Sequence, residues 1–281
     1  MTLADALAEA RRRIPPAEAR LLLGHLLTRP TAWLEAHREE MLTADQLAQF
    51  RAMMMRRAAG EPVAYLLGSR EFYGRDFAVT PAVLIPRPET ELLVEVALGK
   101  VGVGGTAKIL DLGAGSGCIA TTLALELPAA QVTAVDVSPA ALVVARRNAL
   151  RLAAVVDFIE SDWFSALPAV QFNLIVANPP YVAAGDRHLA EGDLRFEPQE
   201  ALTDRADGLS ALRRIIAESP RWLTIGGWLF LEHGYGQGGA VSDLLHAAGF
   251  VGIEQHCDLA GIVRVSGGRW GSVRVVESAC I

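Results

Sequence analysis

Two patterns of apolar and polar positions divide the chain. Residues 1 to about 58 read as helices. Thr2 with Asp5 forms a capping signal opening a segment that runs to Arg13, and Pro15-Pro16 breaks it. Ala17 to Leu27 carries an apolar stripe, and Thr43 with Gln46 repeats the capping signal before Leu47 to Arg57. Gly60-Glu61-Pro62 ends that helix, so a small helical bundle is expected. Phe72 to Val83 then shows short alternation interrupted by Gly74 and Pro81, which predicts a hairpin. The Pro-rich run Ile85 to Thr90 leads into a helix over Thr90 to Leu98.

From Ala107 onward short apolar runs alternate with helical stretches, the pattern of an α/β fold with a mostly parallel sheet covered on both faces. Strands are expected at 107–111, 131–136, 155–159, 172–177, 227–232 and 250–256, with helices at 119–127, 139–151, 208–223 and 237–248. Gly261 to Val265 and Ser272 to Glu277 compete for the role of a closing strand. The domain boundaries drawn from this pattern are a helical domain over 1–75, a hairpin linker over 76–86 and an α/β domain over 87–281.

Composition narrows the classes. With 281 residues, 51% hydrophobic and 21% charged, the chain can bury a sizeable core. No apolar run is long enough to span a membrane and no secretory signal opens the chain, so a cytoplasmic protein is expected. Cys118, Cys257 and Cys280 lie far apart without metal-ligand spacing, and three reduced thiols, two of them packed, are expected. The net charge of −6 splits unevenly. Residues 1 to 75 hold 11 Arg against 9 acidic residues, a surplus of +2, which leaves −8 for the rest. That bias is too small for a nucleic-acid backbone, and no direct nucleic acid substrate is expected.

Chemistry is concentrated at strand ends. Asp111-Leu112-Gly113-Ala114-Gly115-Ser116-Gly117 follows the first strand, and three glycines at alternate positions permit a tight turn that a ligand can approach closely. Cys118 stands where a dinucleotide fingerprint wants Gly or Ala, which disfavours a nicotinamide cofactor. Asp136 ends the second strand, nineteen residues past Gly117, where a carboxylate can accept both ribose hydroxyls of an adenosyl ligand. Asp162 and Trp163 follow the third strand at the same sheet edge. They are expected to take the adenine amino group and to lie against the ring. Gly113, Ala114, Gly115, Ser116, Gly117, Asp136, Asp162 and Trp163 thus outline a site for S-adenosyl-L-methionine, with S-adenosyl-L-homocysteine as product and no metal.

Asn178-Pro179-Pro180-Tyr181 closes the apolar run from Phe172. A carboxamide oxygen and prolyl carbonyls can accept the two N–H bonds of a planar NH2 group, a tyrosine ring can cover its face, and the prolines stiffen the loop. Such acceptors position a poorly nucleophilic nitrogen and stabilise the charge that develops on it. Asn178, Pro179 and Tyr181 are the catalytic candidates, and Asn178 to Tyr181 the acceptor-binding set. His233, after the fifth strand, reads as a packed or surface histidine rather than a site residue.

These motifs, together with Ile85-Pro86-Arg87-Pro88-Glu89-Thr90-Glu91, Gly60 to Gly68, Glu71-Phe72-Tyr73-Gly74, Phe196 to Leu202 and Asp207-Gly208-Leu209, make the chain resemble the protein-(glutamine N5) methyltransferases of the HemK/PrmC type. The likeness covers nearly the whole chain. It implies a class I S-adenosylmethionine-dependent methyltransferase, Rossmann-like with a mostly parallel seven-stranded sheet, behind a helical N-terminal domain. It further implies that the methyl acceptor is the glutamine of the Gly-Gly-Gln motif in peptide chain release factors, with Asn178, Arg87 and Glu89 beside the donor and Glu197-Pro198 near the acceptor; a monomer is expected. Asn173 departs from the family's usual Asp, and the tail after Trp270 runs past the family's usual end. Methylation of a ribosomal-protein glutamine, methylation of adenine N6 and a catalytically silent adapter remain as alternatives.

Overall fold

Reciprocal caps start the helices. Thr2 Oγ1 accepts the Asp5 N–H and the Asp5 carboxylate accepts the Thr2 N–H, both at 3.1 Å, which satisfies two donors that a helix start leaves free. The computed structural model describes residues 1–101 and 106–271. Helix α1 (Leu3–Ala10) stops short of the expected Arg13, and Arg11 to Arg13 form an exposed turn. Next come α2 (Pro16–Leu27), α3 (Thr31–Ala36), α4 (Ala44–Ala58, opened by the Thr43/Gln46 box) and α5 (Val63–Leu67). The sequence pattern gave neither α3 nor α5, each too short to show a period, although Pro30 and Pro62 sit at their N-caps. Leu3, Leu7, Leu22, Leu23, Leu34, Phe50 and Met54 form a core belonging to these helices alone.

The hairpin lies earlier than the expected 72–83. Strands β1 (Ser69–Phe72) and β2 (Arg75–Ala78) pair antiparallel around Tyr73 and Gly74, whose φ values of 52° and 71° make the two-residue turn that matches strand twist. A 3-10 turn (Pro88–Thr90) then leads into α6 (Glu91–Val101).

The sheet contains β3 (Lys108–Leu112), β4 (Gln131–Asp136), β5 (Asp157–Glu160), β6 (Phe172–Ala177), β7 (Leu223–Glu232), β8 (Phe250–Cys257) and β9 (Val263–Trp270). Its order among the described residues is β5-β4-β3-β6-β7-β9-β8, and β9 runs antiparallel to both neighbours. Successive residues of the central strands feed opposite faces. Ile109 and Leu174 pack with Leu93, Leu123 and Ala145, whereas Leu110 and Ile175 pack with Leu212, Ile215, Val241 and Leu245. Burial on both faces explains why these strands read as continuous apolar runs rather than alternating ones. The connecting helices are α7 (Cys118–Glu126), α8 (Pro139–Arg151), α9 (Gln199–Leu202), α10 (Ser210–Glu218) and α11 (Gly238–Ala247). Because the chain moves outward from β3 through β4 and β5, then returns to β6 on its other side, the strand ends of β3 and β6 flank a crevice.

Several expectations shift. The helix expected over 208–223 ends at Glu218, since Pro220 lies in a 3-10 turn, and β7 starts at Leu223 rather than Gly227 across a register break. The segment after Tyr181, for which no element was foreseen, carries 3-10 turns at Arg187–Ala190 and Leu194–Phe196 before α9. Strand β9, beginning inside 261–265, inserts between β7 and β8 and leaves β8 at the edge, while the rival 272–277 and the rest of the tail lie outside the described residues. Cys118 is buried, but Cys257, at the end of an edge strand, is exposed; Cys280 lies outside the described residues. Among the described residues no helix is long and apolar enough to cross a membrane.

Candidate active site

Local backbone chemistry builds the glycine turn. Gly113, Gly115 and Gly117 have φ of 82°, 53° and 78°, in the left-handed region that costs a residue with a Cβ about 1–2 kcal/mol. The N–H groups of Gly113 and Ala114 both donate to Val135 O, tying the turn to β4. Gly117 is needed twice, because a Cβ there stands 3.0 Å from Ala145 Cβ and 3.1 Å from its Cα on α8. Asn148, also on α8 and fully buried, donates to Ser116 O at 2.9 Å while its carboxamide bonds both backbone groups of Ala78. One side chain therefore locks the hairpin to the glycine turn.

Asp136 extends from the end of β4 into this region. Its Oδ2 accepts the Gly115 N–H and its Oδ1 the Ser138 N–H, each at 2.8 Å. Burial raises its pKa, and the N–H groups of Ser138, Gly115 and Val137 oppose that rise. Trp163 sits at φ 51°, in a turn closed by Ser161 Oγ, which donates to Trp163 O and accepts the Ala166 N–H. Such a backbone is uncommon for a bulky residue and is retained where surrounding contacts impose it. The turn brings the indole over the glycine loop, 3.7 Å from the position a Gly113 Cβ takes.

A single cleft joins these groups. Gly113, Ala114, Gly115, Ser116, Asp136, Asp162, Trp163, Asn178 and Pro180 line it, with Val135, Val137 and Ile119 as apolar wall. Gly117 caps α7 instead. Asp162 borders the cleft, but both of its carboxylate oxygens face Arg214 Nη1 at 2.9 Å. Pro179 and Tyr181 are not on the wall. The Tyr181 ring packs with the apolar cluster beneath it, and its hydroxyl donates to Glu232 Oε1 at 3.2 Å. The Tyr181 carbonyl accepts Gln237 Nε2, and it lies 2.5 Å from where a Gly208 Cβ stands, which explains a glycine at φ 80° in Asp207-Gly208-Leu209.

Asn178 Nδ2 donates to Thr90 Oγ1 at 3.1 Å. Among the described residues no hydrogen bond uses its Oδ1, which leaves an acceptor on the cleft wall. Arg87 and Pro198 also line the cleft, and the buried Glu197 carboxylate accepts both Arg87 Nη2 and the Ile85 N–H. That ion pair fixes the Pro-rich segment against the loop after Tyr181. His233 is fully buried and bonded to Ser266 Oγ at 2.8 Å, so it is packed, and Asn173 accepts the Lys108 N–H at the opposite edge of the sheet.

Reasoning from sequence missed Thr90, Asn148, Glu232 and Asp111. Asp111 is fully buried with Oδ2 accepting the Ala120 N–H and Oδ1 without a partner among the described residues; burial pushes its pKa up to about 7. A charged residue inside an apolar strand was its signal. Glu232 had the same signal at the end of β7, whereas nothing local marked Thr90 or Asn148.

An open, mostly parallel sheet with a glycine turn and strand-end carboxylate around one crevice defines a class I methyltransferase fold. Residues 88–194 match the methyltransferase small domain family, and residues 2–68 match the PrmC N-terminal domain. A crystal structure of a methyltransferase from Pyrococcus furiosus shares the fold, with a TM-score of 0.54 at 16% identity over 78% of this chain and 96% of the other. Release factor glutamine methyltransferase of Burkholderia pseudomallei (strain K96243) is 52% identical over 259 residues, 90% of this chain and 91% of that protein. The protein of the same name from Bordetella pertussis (strain Tohama I) is 52% identical over 256 residues, 91% of this chain and 95% of the other. The chain belongs to the release factor glutamine methyltransferase family.

Proposed function

We propose that this protein transfers a methyl group from S-adenosyl-L-methionine to the side-chain amide N5 of the glutamine in the Gly-Gly-Gln motif of peptide chain release factors, leaving S-adenosyl-L-homocysteine. The observation that carries the reading is the orientation of Asn178, whose amide nitrogen is held by Thr90 so that its oxygen remains an acceptor on the cleft wall. Family membership at half identity over nine-tenths of the chain supports the same assignment.

The residues present fit an adenosyl donor. Asp136 is the acceptor for ribose hydroxyls, Trp163 with Val135 and Val137 offers apolar faces for a base, and the positive-φ turn from Gly113 to Gly117 allows close approach. Asp162, shared with Arg214, is assigned to the base's amino group. The donor supplies an electrophilic methyl on a sulfonium sulfur.

The chain's own work is on the acceptor. An amide nitrogen is a weak nucleophile, so Asn178 Oδ1 takes one N–H at the cleft wall and holds the lone pair toward the donor, and the second N–H is assigned to the Pro179 carbonyl, which a loop shift must bring to the wall. As positive charge develops on nitrogen, both dipoles strengthen their bonds to it, worth about 3 kcal/mol for a single well-placed group. The nitrogen sheds its extra proton to solvent after the N–C bond forms and the S–C bond breaks. Pro180 stiffens the loop and borders the cleft, and Tyr181 supports it from behind. No metal enters this scheme.

Residues 1–75 serve in this reading as a docking domain, 76–86 as linker and 87–281 as catalytic domain. One glutamine in a short loop offers little surface for specificity, so a second contact is expected. The protein acts as a cytoplasmic monomer, where release factors work. Mass spectrometry of a release factor after reaction tests the proposal: a single methyl on the Gly-Gly-Gln glutamine is expected, and no mark, or a mark elsewhere, refutes it.

A further inference from the structure

We infer that Glu232 is a positioning residue, whose carboxylate fixes the direction of the Asn178 carboxamide through Thr90 and anchors Tyr181 at the same time. The inference rests on the acceptor role proposed for Asn178.

Asn178 Nδ2 donates to Thr90 Oγ1 at 3.1 Å, so the Thr90 hydroxyl proton must be given to another group. Thr90 is 2% exposed, which removes solvent as that acceptor. Glu232, 1% exposed at the end of β7, is its carboxylate neighbour, and Thr90 and Tyr181 both act to favour its charged form. Tyr181 Oη donates to Oε1 at 3.2 Å, whereas Oε2 is buried and has no hydrogen-bond partner among the described residues. Thr90 is the hydroxyl that acts on this carboxylate, and we place its proton on the orphaned Oε2, which satisfies both groups. The chain of donors then runs from Asn178 through Thr90 to Glu232, and from Tyr181 to Glu232. A carboxylate, which only accepts, sustains both directions; a group that also donates reverses one of them. Reversal at Thr90 turns its proton toward Asn178 and favours the flipped amide, which withdraws Oδ1 from the cleft.

The charged groups around Glu232 set its titration. Burial raises its pKa to about 7, Glu89 on the turn before α6 adds to the rise, and Arg264 on β9 opposes it; Cys118 on α7 feels its field, and His233 follows it in sequence. Arg264 is itself paired with Asp258 at 3.0 Å, which weakens its pull. As pH falls through this range Glu232 gains a proton, becomes a donor, and the arrangement loses its single direction.

Three measurements test the inference. In 1H–15N spectra of the unliganded protein, the Asn178 side-chain NH2 signal, identified by its loss in N178A, is expected to shift with pH in wild type and not in E232Q. With a release factor as substrate, E232Q and T90V are each expected to lower kcat about tenfold, with no further loss when combined, while the donor dissociation constant stays within twofold. T90S is expected to recover most of the T90V loss, and the acid limb of the kcat profile is expected to vanish in E232Q. A signal indifferent to both pH and E232Q, or kcat within twofold of wild type in both variants, overturns the positioning role. Wild-type protein that methylates no release factor overturns the functional reading instead, and leaves the spectral test standing.

Discussion

Arg57, near the end of α4, reaches Asp193 in the loop that follows Tyr181, with Nη1 2.8 Å from Oδ1, while its Nε holds Glu18 of α2 at 2.7 Å. Arg195 of the same loop donates to Ala59 O. The helical domain is thus tied to the segment whose Pro198 lines the cleft. An ion pair with one half-exposed partner contributes only about 0.2–1 kcal/mol, so its weight lies in holding two surfaces in register. D193A is expected to raise KM for an intact release factor about two- to fivefold and to leave donor affinity unchanged, as steady-state kinetics and calorimetry can show. An unchanged KM removes this contact from recognition.

Gly117→Ala combines a backbone penalty with a steric one, since φ is 78° and a Cβ meets Ala145 at 3.0 Å. The conformational cost is about 1–2 kcal/mol and the overpacking adds about 1–3 kcal/mol. Urea denaturation is expected to show a loss of about 2 kcal/mol or more, and titration with S-adenosyl-L-homocysteine at least a tenfold weaker affinity.

Asp136→Ala removes the acceptor from two backbone N–H groups as well as the one proposed for the ribose. Hydrogen bonds to charged groups are worth about 1.5–3 kcal/mol, so S-adenosyl-L-homocysteine is expected to bind about 10- to 100-fold more weakly. Affinity within twofold of wild type contradicts the assignment.

Asp111 makes stability depend on pH. Its pKa rises on folding from 3.8 to about 7, so between those values the folded state keeps a proton that the unfolded state has released. Stability from this group is complete below pH 3.8 and declines as pH rises to 7. In D111N that decline is absent. The free-energy difference between D111N and wild type is therefore expected to shift in favour of D111N by about 1 kcal/mol or more from pH 4 to pH 7, given about 1.4 kcal/mol per unit of pKa. Urea titrations at both pH values measure it; parallel pH dependences refute it.

Much of this was legible where the chemistry is local. The glycine turn, Asp136 and Asn178 each follow an apolar strand, and the sheet gathers strand ends along one edge, so their meeting at one cleft could be read from order and spacing. The short helices α3, α5 and α9 lack enough turns to show a period. Thr90, Asn148 and Glu232 act through partners tens of residues away, and Arg57 meets Asp193 across 136 positions, so only the folded chain brings them together. Tyr181 illustrates the difference: the motif suggested a ring over the acceptor, whereas the fold turns its hydroxyl to a buried carboxylate.

The account turns on Asn178 Oδ1 as the acceptor that holds the glutamine nitrogen. Single-turnover transfer from labelled S-adenosyl-L-methionine to a release factor, run beside donor-binding titrations, isolates that role. Asn178→Ala is expected to slow transfer about 100-fold or more, since one preorganised group is worth about 3 kcal/mol, with the donor dissociation constant within a few-fold of wild type. Transfer at the wild-type rate by N178A contradicts the account.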